Sequence, residues 1–124
     1  MQPSDVIIVE GALIFCNEPL RRLMDLSLFI DTDDDVRLSR RVLKNAQLPP
    51  DQQIPLADLL KTYESKTKGA FERFIEPTKK YANIIIPNYG FSPDNLQLDQ
   101  MTIQGVDVII SDIKSQVARP GPVF

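Results

Sequence analysis

Asp5-Val6-Ile7-Ile8-Val9-Glu10-Gly11 sets four consecutive branched apolar residues between a leading acid and an abrupt Glu-Gly. A short apolar run of this kind reads as a strand buried on both faces, ending where the backbone turns sharply. At the carboxyl end of a parallel strand a carboxylate stands at the mouth of an α/β sheet, where such folds bind ligands. Gly11 would let a loop or a phosphate approach closely. Glu10 is therefore the first candidate for chemistry. The alternative is that it only ends the strand and hydrogen-bonds a neighbouring loop.

Two later runs resemble the first. Leu26-Ser27-Leu28-Phe29-Ile30-Asp31 again ends in an acid, and Asn83-Ile84-Ile85-Ile86-Pro87 is stopped by proline. Strands alternating with helical segments predict a parallel α/β sheet flanked by helices. Before the second strand, Asn17-Glu18-Pro19 opens a short helix over residues 19–24, with Leu20, Leu23 and Met24 inward and Arg21 and Arg22 outward. After that strand, Thr32 and Asp35 have the spacing of a capping box, and Asp33, Asp34 and Asp35 suit the positive end of a helix dipole. The same acids could form a Mg²⁺ or Ca²⁺ cluster, but the rest of a calcium loop is missing.

The helix predicted over residues 33–46 sorts its side chains by sign. At about 100° per residue, Val36, Leu38, Val42, Leu43 and Ala46 share one arc, and Arg37, Arg40, Arg41 and Lys44 cluster on another. Such a stripe is either a solvated face or an anion-binding surface, and arginine grips phosphate in two-pronged fashion. Residues 47–55 carry three prolines and read as a long loop of the lid-like kind. Leu56, Leu59, Leu60, Tyr63, Thr67, Ala70, Phe71 and Phe74 predict a helix of about 20 residues with an apolar face. Lys61, Lys66, Lys68, Glu72 and Arg73 fall on its other sides. Pro77 bends the chain after it. A last helix is expected over residues 105–117, with Val106, Ile109, Ile110 and Ile113 on one face, and a disordered tail over residues 118–124.

Composition narrows the chemistry. The chain has 124 residues, 43% hydrophobic and 25% charged, which suits one globular domain. It contains no histidine and a single cysteine, Cys16. Ser-His triads, histidine-ligated zinc and an internal disulfide are thereby excluded, and Cys16 is expected to be a buried spectator. A net charge of −3 argues against general nucleic-acid binding, so any basic site must be local. No apolar run approaches the length needed to cross a bilayer, and residues 1–5 lack the basic start of a signal peptide, so a cytoplasmic protein without membrane partners is expected.

Taken in order, the Asp5 to Gly11 run, the run from Phe29-Ile30-Asp31-Thr32-Asp33 through Arg37-Leu38-Ser39-Arg40-Arg41-Val42-Leu43, and the run from Ala70-Phe71 through Pro77-Thr78-Lys79-Lys80-Tyr81-Ala82-Asn83-Ile84-Ile85-Ile86-Pro87 resemble the uridine-cytidine kinase family. These are P-loop kinases related to phosphoribulokinase, which transfer the ATP γ-phosphate to the 5′-hydroxyl of uridine or cytidine. The resemblance implies part of a P-loop kinase parallel sheet, an incomplete three-layer α/β/α domain over residues 1–117. It also implies ATP and Mg²⁺ as cofactors and a nucleoside as substrate. Glu10 matches a Walker-B-like acid on the Mg²⁺ side, and Arg41 matches an arginine at the nucleoside and phosphate site. Lys44 stands where the family has a lid arginine, with Arg40 and Arg37 on the same stripe. Asp94 matches an acid beside the adenine of ATP.

Several features depart from that pattern. The 124 residues contain no G-x-x-x-x-G-K-[ST] phosphate loop, and the aspartate that serves the family as base would lie upstream with it. The chain alone is accordingly expected to be inactive, as a fragment or a shortened gene model. Residues 47–55 hold no arginine, Thr62 replaces a family glutamine, and residues 97–104 lengthen the approach to the last helix. Two further readings stand beside the kinase: a non-catalytic kinase-like module that binds a partner or forms a homo-oligomer, and a free-standing anion-binding α/β domain. A parallel sheet lacking strands would expose apolar edges, so the chain alone is expected to be marginal or self-associating.

Overall fold

A computed structural model describes residues 5–88 and 100–118. Its centre is a pair of parallel strands, β1 (Leu28–Asp31) and β2 (Ile84–Pro87), with Leu28 opposite Ile84 and Asp31 opposite Pro87. A parallel pair requires a crossover, and everything between the strands supplies it. The crossover comprises α2 (Asp34–Ala46), a loop, and a long helical run. That run consists of α3 (Leu56–Thr62), a π-helical turn (Tyr63–Thr67), α4 (Lys68–Ala70), a second π-helical turn (Phe71–Ile75) and a 3₁₀ helix (Glu76–Tyr81). Ahead of β1 stand a 3₁₀ turn (Ile14–Cys16) and α1 (Glu18–Arg21), and α5 (Gln100–Val117) follows β2.

The register of the two strands is set at their amino ends. The Ser27 amide and hydroxyl both donate to Asn83 Oδ1, at 2.9 and 2.7 Å. In return the Asn83 amide donates to the Ser27 carbonyl at 2.9 Å. Ser27 Oγ also lies 3.1 Å from the Tyr81 carbonyl, an alternative acceptor for its single proton that brings the 3₁₀ helix to the same knot. At the other end, the Asn88 amide donates to the Asp31 carbonyl at 2.7 Å, and Lys79 Nζ meets Asp31 Oδ2 at 2.5 Å.

Because successive strand residues alternate in direction, Phe29 and Ile86 point to opposite faces. Both are buried, and their strand partners Ile85 and Ile30 are exposed. α5 covers Ile86: a Cβ added at Gly105 would lie 3.8 Å from Ile86 Cγ2, and Thr102 Oγ1 donates to the Pro87 carbonyl at 2.5 Å. The layered α/β/α plan is present, with each face only partly covered. Both strands were expected to be buried throughout; two strands with two open edges cannot achieve that.

The largest departure from expectation is the opening stretch. Residues 5–10 form no strand, and Ile7 and Ile8 are 80% and 86% exposed. A parallel strand exists only through hydrogen bonds to a neighbour, and none of the described strands pairs with this segment. Gly11 serves a local approach instead: a Cβ there would lie 3.0 Å from Ile14 Cγ2 in the next turn.

Smaller corrections have equally local causes. Asn17 caps α1 as expected, accepting from the Leu20 amide at 2.9 Å. Yet Leu23 is exposed, and Arg21 turns inward, donating to the Phe15 carbonyl with its guanidinium 3.9 Å from the Tyr81 ring centre. The cation stacks on the aromatic ring, and leucine has no competing partner there. No capping box forms at α2, because Asp35 Oδ1 takes the neighbouring Val36 amide at 2.8 Å and Asp33 stands at the cap. Cys16 is exposed, its thiol 3.3 Å from the Phe74 carbonyl. The final helix starts at Gln100, taking in residues expected as its approach, and buries Thr102 and Ile109 while leaving Ile110 exposed.

Ser27→Ala removes the hydroxyl from a knot that is itself nearly buried. Urea titration of this variant is expected to show a loss of about 1–2 kcal/mol, the usual cost of breaking a part-buried hydrogen-bond pair. The double change Ile7→Ser and Ile8→Ser, at positions that support no contact surface, should leave the urea midpoint unchanged and reduce self-association measured by light scattering. A midpoint shift above about 1 kcal/mol in that double variant would mean the segment is packed.

Candidate functional site

Arg37, Arg40, Arg41 and Lys44 all line one cleft of about 690 Å³. α2 supplies that wall because the four cations recur at three- and four-residue spacing on a 13-residue helix. Its apolar arc is only half-buried, with no fully buried residue.

The helical run forms the opposite wall, lined by Tyr63, Lys66, Thr67, Lys68, Ala70, Phe71 and Ile75. The spacing of its inward side chains is unusual for an α-helix. Leu59 is buried at 3% exposure, and Tyr63, Thr67, Phe71 and Ile75 are half-buried, every fourth residue. In a regular α-helix, steps of four drift by about 40° each, so such a stripe would wind off the face. The two π-helical turns, with their wider i→i+5 bonding, take up that drift and keep the stripe straight. Leu56, Leu60 and Phe74, expected inward from α-helical spacing, are exposed as a result.

The cations are held to different degrees. Arg37 is bolted into the wall, ion-paired with Asp34 and stacked 3.3 Å from the Phe71 ring centre. Arg40 reaches back to the end of β2, its Nη2 2.9 Å from Asn88 Oδ1 and 3.4 Å from the Asn88 carbonyl. Arg41 leans across the cleft to Thr67 Oγ1 at 3.4 Å. Lys68 has a loose contact with Glu72 at 3.9 Å, with both side chains about half exposed, which is worth little. Among the described residues, Arg41, Lys44 and Lys66 have no carboxylate partner. A cleft with apolar side walls and several uncompensated cations concentrates anions.

The remaining sequence candidates are not brought to this cleft. Glu10 lies on the unpaired, exposed segment and does not line it. Asp94 lies outside the described residues, as do most of the turn-rich loop after β2 and residues 119–124 of the tail. For magnesium the described residues do not fit. No group of three or more His, Cys, Asp or Glu is placed to hold a metal ion among them, and Glu10 stands apart from the cationic site. The acids of residues 33–35 likewise serve α2 and its Arg37 pair.

Lys66 and Lys68 were assigned to the outer sides of their helix, and the structure puts them on the cleft. The four-residue recurrence of Leu59, Tyr63, Thr67, Phe71 and Ile75 was the available signal. The loop over residues 47–55 is tied back to the end of α2 by side-chain hydrogen bonds. Asn45 clamps its far end, accepting from the Ile54 amide at 2.9 Å and donating to the Ile54 carbonyl at 2.8 Å. Gln53 Nε2 bridges back to the Leu48 carbonyl at 2.7 Å.

The Phosphoribulokinase / Uridine kinase family matches residues 1–110, and the chain belongs to that family. Among curated proteins, the uridine kinase of Streptococcus pyogenes serotype M5 is 42% identical over 113 residues, covering 91% of this chain and 48% of the relative. The uridine kinase of Streptococcus equi subsp. zooepidemicus is 45% identical over 86 residues, covering 69% and 40%. That of Streptococcus agalactiae serotype V is 44% identical over the same length. The chain therefore spans less than half the length of these relatives. The two parallel strands with helices around them form part of a P-loop kinase α/β fold, as the resemblance implied. No described helix is long and apolar enough to cross a membrane.

Asn45→Ala should release the 47–55 loop without touching the core. Hydrogen exchange at the Ile54 amide is expected to accelerate by about tenfold or more, with the amides of β1 unchanged. An Ile54 rate equal to wild type would show that the clamp does not hold the loop.

Proposed function

We propose that this chain supplies the phosphate-handling C-terminal part of a uridine/cytidine kinase-like enzyme, whose reaction is ATP plus uridine or cytidine to ADP plus UMP or CMP. The observation that carries this reading is the cationic cleft between α2 and the helical run, in a chain of the uridine kinase family. Phosphoryl transfer needs little covalent chemistry from the protein; it needs in-line positioning and neutralisation of charge on the phosphoryl oxygens. In the proposed reaction the 5′-oxygen forms the new bond to the γ-phosphorus as the bond to the β,γ-bridging oxygen breaks. The hydroxyl proton passes to a base outside these 124 residues. Arg41 and Lys44, with no carboxylate partner among the described residues, are suited to grip phosphate oxygens. Arg37 and Arg40 orient that wall through Phe71 and Asn88. ATP and magnesium enter as cofactors of the whole enzyme, with Glu10 on the magnesium side and Asp94 beside the adenine. Pyrimidine salvage in the cytoplasm is the corresponding cellular role.

A second reading, a kinase-like binding or oligomerisation module, is favoured by the exposed apolar residues from Val6 to Val9 and along the sheet. One experiment separates the two. The N-terminal part of the Streptococcus pyogenes uridine kinase is fused ahead of Met1, and UMP formation from uridine and ATP is followed. Turnover is expected, with Arg41→Ala lowering kcat/KM by about a hundredfold or more and Glu10→Ala by at least as much. A folded fusion that turns over neither uridine nor cytidine would leave the binding module. Normal turnover by Arg41→Ala would remove the cleft from the mechanism.

A further inference from the structure

We infer that Asn88, the first residue after β2, is a positioning residue: it helps fix Arg40 in the cleft wall from behind, and as a neutral acceptor it adds no negative charge there. The inference rests on the phosphate reading of the cleft and goes beyond it, because Asn88 does not itself line the cleft and acts only through Arg40.

Three observations carry it. The first is where Asn88 stands. Parallel α/β sheets bind their ligands beyond the carboxyl ends of the strands, and Asn88 follows directly on the carboxyl end of β2. The second is how firmly it is held. Its amide donates to the Asp31 carbonyl at 2.7 Å, just beyond the last paired residues, Asp31 and Pro87. Asp31 in turn meets Lys79 Nζ at 2.5 Å, and the Pro87 carbonyl accepts from Thr102 Oγ1 at 2.5 Å. Asn88 thus sits on a platform tied to the 3₁₀ helix through Lys79 and to α5 through Thr102. The third is what it offers. Arg40 Nη2 donates to Asn88 Oδ1 at 2.9 Å and lies 3.4 Å from the Asn88 carbonyl. A guanidinium has donors only, so the carboxamide must turn its oxygen to it.

The consequence is preorganisation. An unanchored arginine samples many rotamers, and a ligand that has to order it loses part of its own binding free energy. Arg40 is half-buried and is held at its tip as well as at its backbone. It has a further interaction besides its bonds to Asn88, so Asn88 shares in holding it, and removing Asn88 alone has a moderate effect. The chemistry of the acceptor matters as much as its place. An aspartate at this position would accept from the same nitrogen more strongly, but it would set a full negative charge against a guanidinium that lines the anion cleft. The carboxamide separates these two effects, restraining the guanidinium without lowering its attraction for a phosphate group.

The test is a double-mutant cycle on the full 124-residue chain, read as calorimetric affinity for inorganic tripolyphosphate and, separately, as the urea midpoint. Arg40→Ala is expected to weaken tripolyphosphate binding by about tenfold, as the loss of one charge-assisted contact would. Asn88→Ala should weaken it by about threefold. The double variant should bind no more weakly than Arg40→Ala alone, because Asn88 acts through Arg40. Asn88→Asp is the decisive variant. Its carboxylate still accepts from Arg40, so the urea midpoint should stay at or above that of wild type, whereas binding should weaken by about fivefold. A purely structural role would leave binding by Asn88→Asp unchanged, and that result would overturn the inference. Losses from Asn88→Ala that add in full to those from Arg40→Ala would overturn it as well. In both cases the phosphate reading would stand, provided that Arg41→Ala with Lys44→Ala abolishes binding. If the wild-type chain does not bind tripolyphosphate, or binds it unchanged after the Arg41 and Lys44 substitutions, the phosphate reading falls and the inference falls with it.

Discussion

The paired hydrogen bonds between Ser27 and Asn83 are the constraint from which the rest of the molecule hangs. Two short parallel strands have few ladder bonds of their own, and parallel pairing tolerates slippage unless something pins it. Here a buried serine and an asparagine exchange bonds through both main chain and side chain, and the Tyr81 carbonyl joins them. With the amino ends locked, the carboxyl ends arrive together: Asp31 meets Lys79 and the Asn88 amide, and Asn88 in turn receives Arg40 from α2. The orientation of the basic helix is therefore transmitted from the sheet register through a chain of polar contacts. A shift of one residue in register would turn Phe29 and Ile86 out of their covers and carry Asn88 away from Arg40.

The second wall depends on a backbone irregularity. An unbroken α-helix over residues 56–75 would let its four-residue stripe drift around the helix by about 40° at each step. Two π-helical turns hold Leu59, Tyr63, Thr67, Phe71 and Ile75 in line instead. Helix geometry and electrostatics are coupled here. Lys66 and Lys68 flank Thr67 on this run and line the cleft opposite Arg41 and Lys44. Arg37, stacked on Phe71, joins the two walls, and Arg41 reaching Thr67 and Tyr63 reaching the Asp34 carbonyl join them too.

Residues 5–10 show the opposite situation, a segment with strand composition and no strand. Apolar, β-branched residues favour a pleated, half-buried surface, but that preference is realised only against neighbours. Without a hydrogen-bonding partner among the described strands, the backbone groups and the side chains of Ile7 and Ile8 face solvent, and Glu10 is left without a built site around it. The curated relatives are more than twice as long as the part matched here, which accords with a sheet that is only partly represented by these residues.

What the amino-acid order determined by itself were the features that depend on near neighbours in the chain. These were the α/β alternation, the Asn17 cap, the cationic stripe on α2 and the strand runs around Phe29 and Ile85. The family resemblance rested on the same runs. Each follows from local periodicity or from side chains within a few residues of the groups they bond. The sites that were misread depend on distant partners. Lys66 and Lys68 line a cleft that exists only with the facing helix, Arg21 turns inward to Tyr81, and Leu23 turns out. The opening segment lacks the strand its composition suggests. Burial, strand pairing and the meeting of two charged walls are properties of elements brought together across the chain, so only the tertiary structure could decide them.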